Sequence, residues 1–312
     1  LRWLATHTHD FDIAHIHALF SPVSSAAATV SRFKKLPYLL RPLGTLDPSD
    51  LRKKKALKQL YAALIERPNL AGAAAIHFTS AQEAAVSERF GVTTRDLVMP
   101  LGVVPSKPVG DRDTILRELG IPLDPNTPRL LFMSRIDPKK GFDLLIPALE
   151  TLVAEGVDFH IVIAGGNPQD PAYEAQTKAR IQASKLGDHA TFTGFVTGDA
   201  KTALLEWADL FVLPSYYENF GIAVAEAMVA GLPVVISDQV HICNEIQQAE
   251  AGWVVPCQIE PLTAALRSAL THPGDRHHRG QQAQAYALEH YSWDAIAAQM
   301  LHTYAELLGH KN

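Results

Sequence analysis

Short apolar runs rich in β-branched residues alternate along most of this chain with longer stretches of helical period, and that alternation limits the fold more than any other feature. A strand that pairs in parallel with the next needs a crossover of a dozen or more residues, usually a helix. The pattern therefore specifies βα units and a mainly parallel sheet covered on both faces. Strands are predicted at Ile13–Ile16, Tyr38–Arg41, Ala74–Phe78, Leu97–Met99, Leu130–Phe132, His160–Ala164, Thr191–Phe192, Leu210–Leu213, Pro233–Ile236 and Gly252–Val255, with helices filling most of the gaps.

The stretch Gly102–Gly110 concentrates Pro and Gly without a helical period, which reads as an interdomain linker. The expected domains are residues 1–108, a first Rossmann-like lobe; 109–290, a second; and 291–312, a final helix packing back on the first. In that last helix Ile296, Met300, Tyr304 and Leu307 recur at packed-face spacing. The second lobe has strands enough for a complete doubly wound unit, whereas the first has four in about 105 residues. That imbalance, and a chain opening on Leu1 rather than Met, lead us to expect that the first lobe is truncated.

Of 312 residues, 47% are hydrophobic and 20% charged, which excludes disorder, collagen and a disulfide scaffold. The net charge of −5 is unevenly spread. Residues 1–69 carry 11 Lys+Arg against 5 Asp+Glu, and the remainder 17 against 28. A basic segment suits a phosphorylated ligand or an anionic membrane surface, while the acidic bulk argues against nucleic acid. Cys243 and Cys257 lack CxxC spacing, so no zinc site is expected and a reducing compartment is the default. No uncharged apolar run reaches the roughly 18–20 residues of a membrane span. The expected location is cytoplasmic, with peripheral contact at the inner membrane face.

The most informative segment runs from Leu213 to Pro233. A strand ends at Leu213, a loop follows, and a helix starts near Asn219–Gly221 and stops at Gly231. Ligands of open α/β sheets bind at the carboxyl ends of strands, where a helix N-terminus offers N–H groups and positive dipole to an anion, and Gly221 lets a phosphate approach the backbone. The helix is apolar except for Glu226, which needs a partner if buried. A ribose diol is one such partner, since Glu226 lies about five residues, roughly 7.5 Å, from Gly221. A solvent-facing Glu is the alternative. Glu218 stands in the loop before the helix.

Glu218 and Glu226 together resemble the Glu-x7-Glu element of retaining GT-B glycosyltransferases, especially glycosyltransferase family 4. Other segments match that layout in order. Ser134-Arg-Ile-Asp-Pro-Lys-Lys140-Gly141 resembles the family's Arg…Lys-Gly element, Val162-Ile-Ala-Gly165-Gly166 its next strand and glycine turn, and Phe192-Thr-Gly194-Phe195-Val196 the region that meets the nucleotide base. The resemblance implies a two-lobed α/β GT-B fold and a metal-independent transferase without a resident cofactor. It implies hexosyl transfer from a nucleotide sugar, UDP-sugar favoured, to a carbohydrate or lipid-linked acceptor. By the same resemblance Arg135 and Lys140 clamp the diphosphate, Glu226 holds the ribose, and Asn219, Phe220 and Gly221 meet phosphate and sugar through backbone groups. Gly165, Gly194, Phe195 and Val196 complete the donor pocket. Glu218 orients the donor sugar and stabilises positive charge at the anomeric centre.

In the first lobe His15-Ile-His17, Arg41-Pro-Leu-Gly44 and Ile76-His-Phe-Thr-Ser80 also resemble family segments, but Leu43 stands where the family commonly has His, and the early glycine-rich loop has no counterpart. Leu cannot hydrogen-bond. A degenerate nucleotide-sugar-binding module, or a sugar-nucleotide epimerase of GT-B architecture, therefore stands beside the transferase reading. Asp10-Phe-Asp12 and Asp111-Arg-Asp113 are read as chance DxD triplets, His7-x-His9 and His15-x-His17 as strand-end or surface histidines, and Arg276-His-His-Arg279 as a solvated helix start. The run Arg52-Lys-Lys-Lys55 with Lys58, beside Leu57, Leu60, Tyr61 and Leu64, reads either as a solvated amphipathic helix or as a contact for anionic lipid.

Overall fold

The computed structural model describes residues 2–51, 55–105 and 107–309, the side chains of residues 49, 50, 55 and 56 excepted. Arg52, Lys53 and Lys54 of the basic run, and the Lys55 side chain, lie outside that description. The chain divides into two compact units, Leu1–Leu101 with Trp293–Asn312, and Gly102–Ser292.

The first unit is built on a parallel sheet of β1 (Ala14–His17), β2 (Tyr38–Arg41), β3 (Ala75–Phe78) and β4 (Asp96–Val98), in that spatial order. Each crossover carries the chain to the neighbouring strand. Tyr38, Leu40, Leu70, Ile76 and Phe78 form its core with Leu46 and Ala28. Strand ends follow the ladder rather than the local apolar run: β1 extends to His17 because that residue pairs with Arg41, the end of β2. The helix Trp293–Leu307 belongs to this unit and is tied to β1 by the Tyr304 hydroxyl, 2.7 Å from Nδ1 of His15.

The second unit holds a six-stranded parallel sheet of β5 (Arg129–Met133), β6 (His160–Ala164), β7 (Ala190–Gly194), β8 (Leu210–Leu213), β9 (Val234–Ser237) and β10 (Gly252–Val255). Their spatial order is β10-β9-β8-β5-β6-β7, the doubly wound arrangement in which direction of travel reverses between β5 and β8. Every residue of β8 and β9 is buried, as expected of strands covered on both faces. Pro233 has no N–H to donate, so β9 opens at Val234 and runs on to Ser237 opposite Val255. Trp207, Phe132, Phe142, Phe159 and Phe211 are fully buried around this sheet. Truncating any of them to Ala costs about 3–5 kcal/mol on general grounds.

All ten predicted strands exist, with ends displaced by no more than two residues. Among the described residues no helix is long and apolar enough to cross a membrane.

Candidate active site

The reversal point of the second sheet brings the loop after β5 against the loop after β8. Two features lock them together. Gly141 has φ +74°, and a Cβ there would fall 2.1 Å from the carbonyl oxygen of Pro214, so only glycine permits the approach. Beside it the backbone N–H of Tyr216 donates to the Lys139 carbonyl at 2.8 Å, and the Tyr216 hydroxyl donates to Asp143 at 2.7 Å. Burial and that carboxylate push the Tyr216 phenol up to about 12. From the other side the Ser237 hydroxyl, at the end of β9, donates to the carbonyl of Ser215.

This clamp places Lys140 on Glu218. The lysine ammonium donates to Oε2 of the carboxylate, and both side chains are largely buried. The Glu218 backbone is held as if in a short parallel ladder: its N–H donates to Gln239 O at 3.1 Å and its carbonyl accepts from His241 N at 3.0 Å. The acid is therefore fixed on both sides of its Cα, which suits a group that must face a ligand in one orientation.

The helix that follows is Ile222–Val229, one residue beyond the expected start, with Gly221 as its N-cap at φ +82°. A Cβ on Gly221 would sit 3.1 Å from Val240 and 3.3 Å from the Glu218 side chain. Phe220 is buried and its ring packs edge-on against Tyr291, centroids 5.3 Å apart, so only its backbone is available to a ligand. Asn219 is half-buried between Glu218 and Phe220. Glu226 is half-buried, not enclosed, and takes a partner that sequence spacing did not reveal: Lys201 Nζ donates to its Oε1 at 2.8 Å from the helix Gly198–Trp207. Both carboxylates of the Glu-x7-Glu element are thus paired with lysines from other segments.

Arg135 lies on the same loop as Lys140 but stands exposed, its guanidinium donating to Gln169 at 3.1 Å. Gly165 marks a second close approach. With φ +149°, its Cβ would fall 1.9 Å from the Ser134 carbonyl, so the turn after β6 presses on the residue before Arg135. Gly194 ends β7 at φ +70° with open space around it, and Phe195 follows as the most exposed large apolar side chain of the chain's described residues. Val196 is half-buried.

In the first unit, Leu43 and Gly44 form a turn with positive φ at both positions, 56° and 75°, and Leu43 is half-exposed. Glu83, buried, fastens it by accepting from Gly44 N at 3.0 Å while its other oxygen accepts from the N–H and hydroxyl of Thr79, each 2.7 Å away. Nearby, a histidine chain was not foreseen. His77 Nε2 must donate to the Met99 carbonyl at 3.0 Å, which leaves its Nδ1 to accept from His15 Nε2 at 3.1 Å. His15 Nδ1 then accepts from Tyr304. Both rings are neutral in this arrangement, and burial, with the neighbouring His and Arg41 charges, lowers His15 to about 3 and His77 to about 4. Of the two expected strand-end or surface histidines, His17 does end β1, while His15 lies within the strand as a networked group. Arg276 and Arg279 likewise do more than solvate a helix start: Arg276 caps the carbonyls of Ala269 and Leu270, and Arg279 pairs with Asp275 and lies over the Trp253 ring. No cluster of three or more His, Cys, Asp or Glu among the described residues is arranged to hold a metal.

Residues 111–286 match the family model of glycosyl transferases group 1, and residues 1–102 match the glycosyl transferase 4-like domain. The chain belongs to the group 1 glycosyltransferases. This glycosyltransferase is 28% identical to the phosphatidyl-myo-inositol mannosyltransferase of Mycolicibacterium smegmatis, across 99% of its own length and 74% of that protein's. Among solved structures it resembles sucrose-phosphate synthase from Thermosynechococcus elongatus, with a TM-score of 0.77 and 23% identity over 99% of this chain and 77% of that one. It also resembles Anabaena HepE in complex with UDP-glucose, with a TM-score of 0.77 and 18% identity over 98% and 81%. The α/β GT-B fold implied by its motifs is the fold these structures share with it.

Proposed function

We propose that this glycosyltransferase moves a hexosyl group from a nucleotide sugar to a hydroxyl of a carbohydrate or lipid-linked acceptor, with retention at the anomeric carbon and without an essential metal or other cofactor. The observation that carries this reading is the Lys140–Glu218 pair at the reversal point of the sheet, directly before a helix N-terminus and eight residues from Glu226. Cation, carboxylate and unpaired helix N–H groups converge where diphosphate, sugar and ribose of one donor must lie. The UDP-glucose complex of HepE favours a UDP-sugar, and the mannosyltransferase relative puts mannose beside glucose in a sugar screen. The same relative's phosphoinositide name favours a lipid-linked acceptor, reached from the cytoplasm at the inner membrane face.

In the reaction, the bond between the anomeric carbon and the diphosphate oxygen breaks as the acceptor oxygen bonds to that carbon on the same face. The acceptor proton passes to the departing phosphate. Arg135 and Lys140 stabilise the charge that grows on the leaving group, a contribution that charge-assisted bonds make best in a water-poor site. Glu226 takes the ribose hydroxyls, with Asn219, Phe220 and Gly221 presenting backbone groups to phosphate and sugar, and Gly165, Gly194, Phe195 and Val196 lining the nucleotide side. Glu218 orients the donor sugar and opposes the positive charge at the anomeric carbon. Calorimetric titration with UDP, GDP and ADP, in EDTA and in Mg²⁺, tests the donor site. One nucleotide should bind equally in both media and lose affinity at least tenfold in Glu226→Ala. Failure of every nucleotide to bind a folded sample would overturn the reading.

A further inference from the structure

We propose that the first unit binds an oxyanion, the phosphate or carboxylate of an anionic acceptor, between Arg41 and His17 at the carboxyl edge of its sheet. That the ligand is the acceptor rests on the transferase reading; the anion site itself does not. Side chains alternate between the faces of a sheet along each strand. Ile16, Leu40 and Ile76 turn into the core of this unit, so His15, His17, Arg41 and His77 share the opposite face. His17 pairs with Arg41, each the last residue of its strand, at the edge where open parallel sheets take their ligands.

The four basic groups divide into a support and an edge. His15 and His77 spend their ring nitrogens on Tyr304, on each other and on the Met99 carbonyl. His17 is exposed and stacks on His15, ring centroids 4.6 Å apart and planes 20° from parallel, which fixes its orientation. Arg41 is half-buried, and its Nε, shut off from water, meets no hydrogen-bond partner among the described residues. The charge of Glu83 acts on Arg41, but its oxygens are taken by Gly44 N and by the N–H and hydroxyl of Thr79. Glu66 is likewise buried and spent on Phe20 N and the Ser25 hydroxyl. The exposed Asp10 and Asp12 stand before β1, at the opposite end of that strand. Partial burial and the Arg41 charge hold His17 below the ordinary imidazole range, so it adds a neutral N–H donor beside the guanidinium. The planar fork of an arginine matches two oxygens of a phosphate or carboxylate, whereas a neutral hydroxyl leaves its charge unanswered. Basic groups crowded together and perturbed in this way are characteristic of functional sites.

The test titrates the full chain with glucose 6-phosphate, glucuronate and glucose, followed by calorimetry and by the imidazole resonances of His17. One of the two anionic sugars should bind roughly tenfold more tightly than glucose and shift the His17 signals, and the tighter of the two tells phosphate from carboxylate. Arg41→Gln should lose roughly tenfold of that affinity while nucleotide affinity stays within about twofold. Because Arg41 is half-buried, the exposed His17 supplies a second variant. His17→Ala should lose about threefold at an unchanged melting temperature, the size of one neutral hydrogen bond. A sugar phosphate also suits the proposed diphosphate clamp of the second unit, so Arg135→Ala is the control and should leave binding of the anionic sugar unchanged. No preference for either anionic sugar over glucose, binding that survives both Arg41→Gln and His17→Ala, or binding lost in Arg135→Ala instead would each overturn the proposal. None of these results bears on the nucleotide titration, so the anion site and the donor site can fail independently.

Discussion

Gly141 is the residue on which the geometry of the candidate site turns. Alanine there would combine a left-handed backbone, which costs roughly 1–2 kcal/mol for an L-residue, with a collision against the Pro214 carbonyl. Gly141→Ala should therefore separate Lys140 from Glu218, lowering both the denaturation midpoint and transfer. Glu218→Gln should act differently. It keeps shape while removing charge, so nucleotide affinity should stay within about threefold while turnover falls by about 10²–10³, the size expected of one preorganised electrostatic group. An unchanged turnover in that variant would remove Glu218 from the mechanism. Leu43 offers a test in the opposite direction. Its left-handed φ of 56° suits Asn far better than Leu, so Leu43→Asn should raise stability by about 0.5–1 kcal/mol in urea unfolding.

At the scale of elements, the chain Tyr304–His15–His77–Met99 joins the helix Trp293–Leu307 to β1, β3 and the segment after β4, and its donors and acceptors leave no room for an added proton. The unfolded histidines titrate near 6.5, while His15 and His77, and His160 in the second unit, are lowered to about 3, 4 and 4. Below pH 6.5 the unfolded chain binds protons that the folded one refuses. Stability should then be level above about pH 7 and fall steadily as the pH drops from about 6.5 toward 4, seen as a declining melting temperature. His77→Gln, which keeps one donor and one acceptor, should flatten part of that slope. The strands were legible because burial on both faces writes itself as an apolar run, as in Leu210–Leu213, and their exact ends were not, because an end depends on a partner strand that no local window contains. The Glu-x7-Glu spacing was equally legible. Lys201, 25 residues before Glu226, left no local trace, and the packed-face spacing that marked Tyr304 did not name His15, 289 residues earlier, as its partner, since contacts of that separation are decided by topology.

For the molecule as a whole, a donor held by residues of the second unit should stabilise that unit alone. Nucleotide at about a hundred times its dissociation constant adds roughly 2.7 kcal/mol to the unit that binds it. Scanning calorimetry should accordingly resolve two transitions, with only the one arising from Gly102–Ser292 moved upward by nucleotide; a joint shift of both would mean that ligand energy reaches the first unit as well. The composition of that first unit also bears on how the protein is made. Its sheet leaves the ribosome early, yet the helix that holds His15 is translated only after the entire second unit, some 192 residues beyond Leu101. At about 5–20 residues per second the delay is on the order of 10–40 s. For that interval the sheet of the first unit waits on the ribosome, its histidine chain open to water, until the helix Trp293–Leu307 arrives to close it.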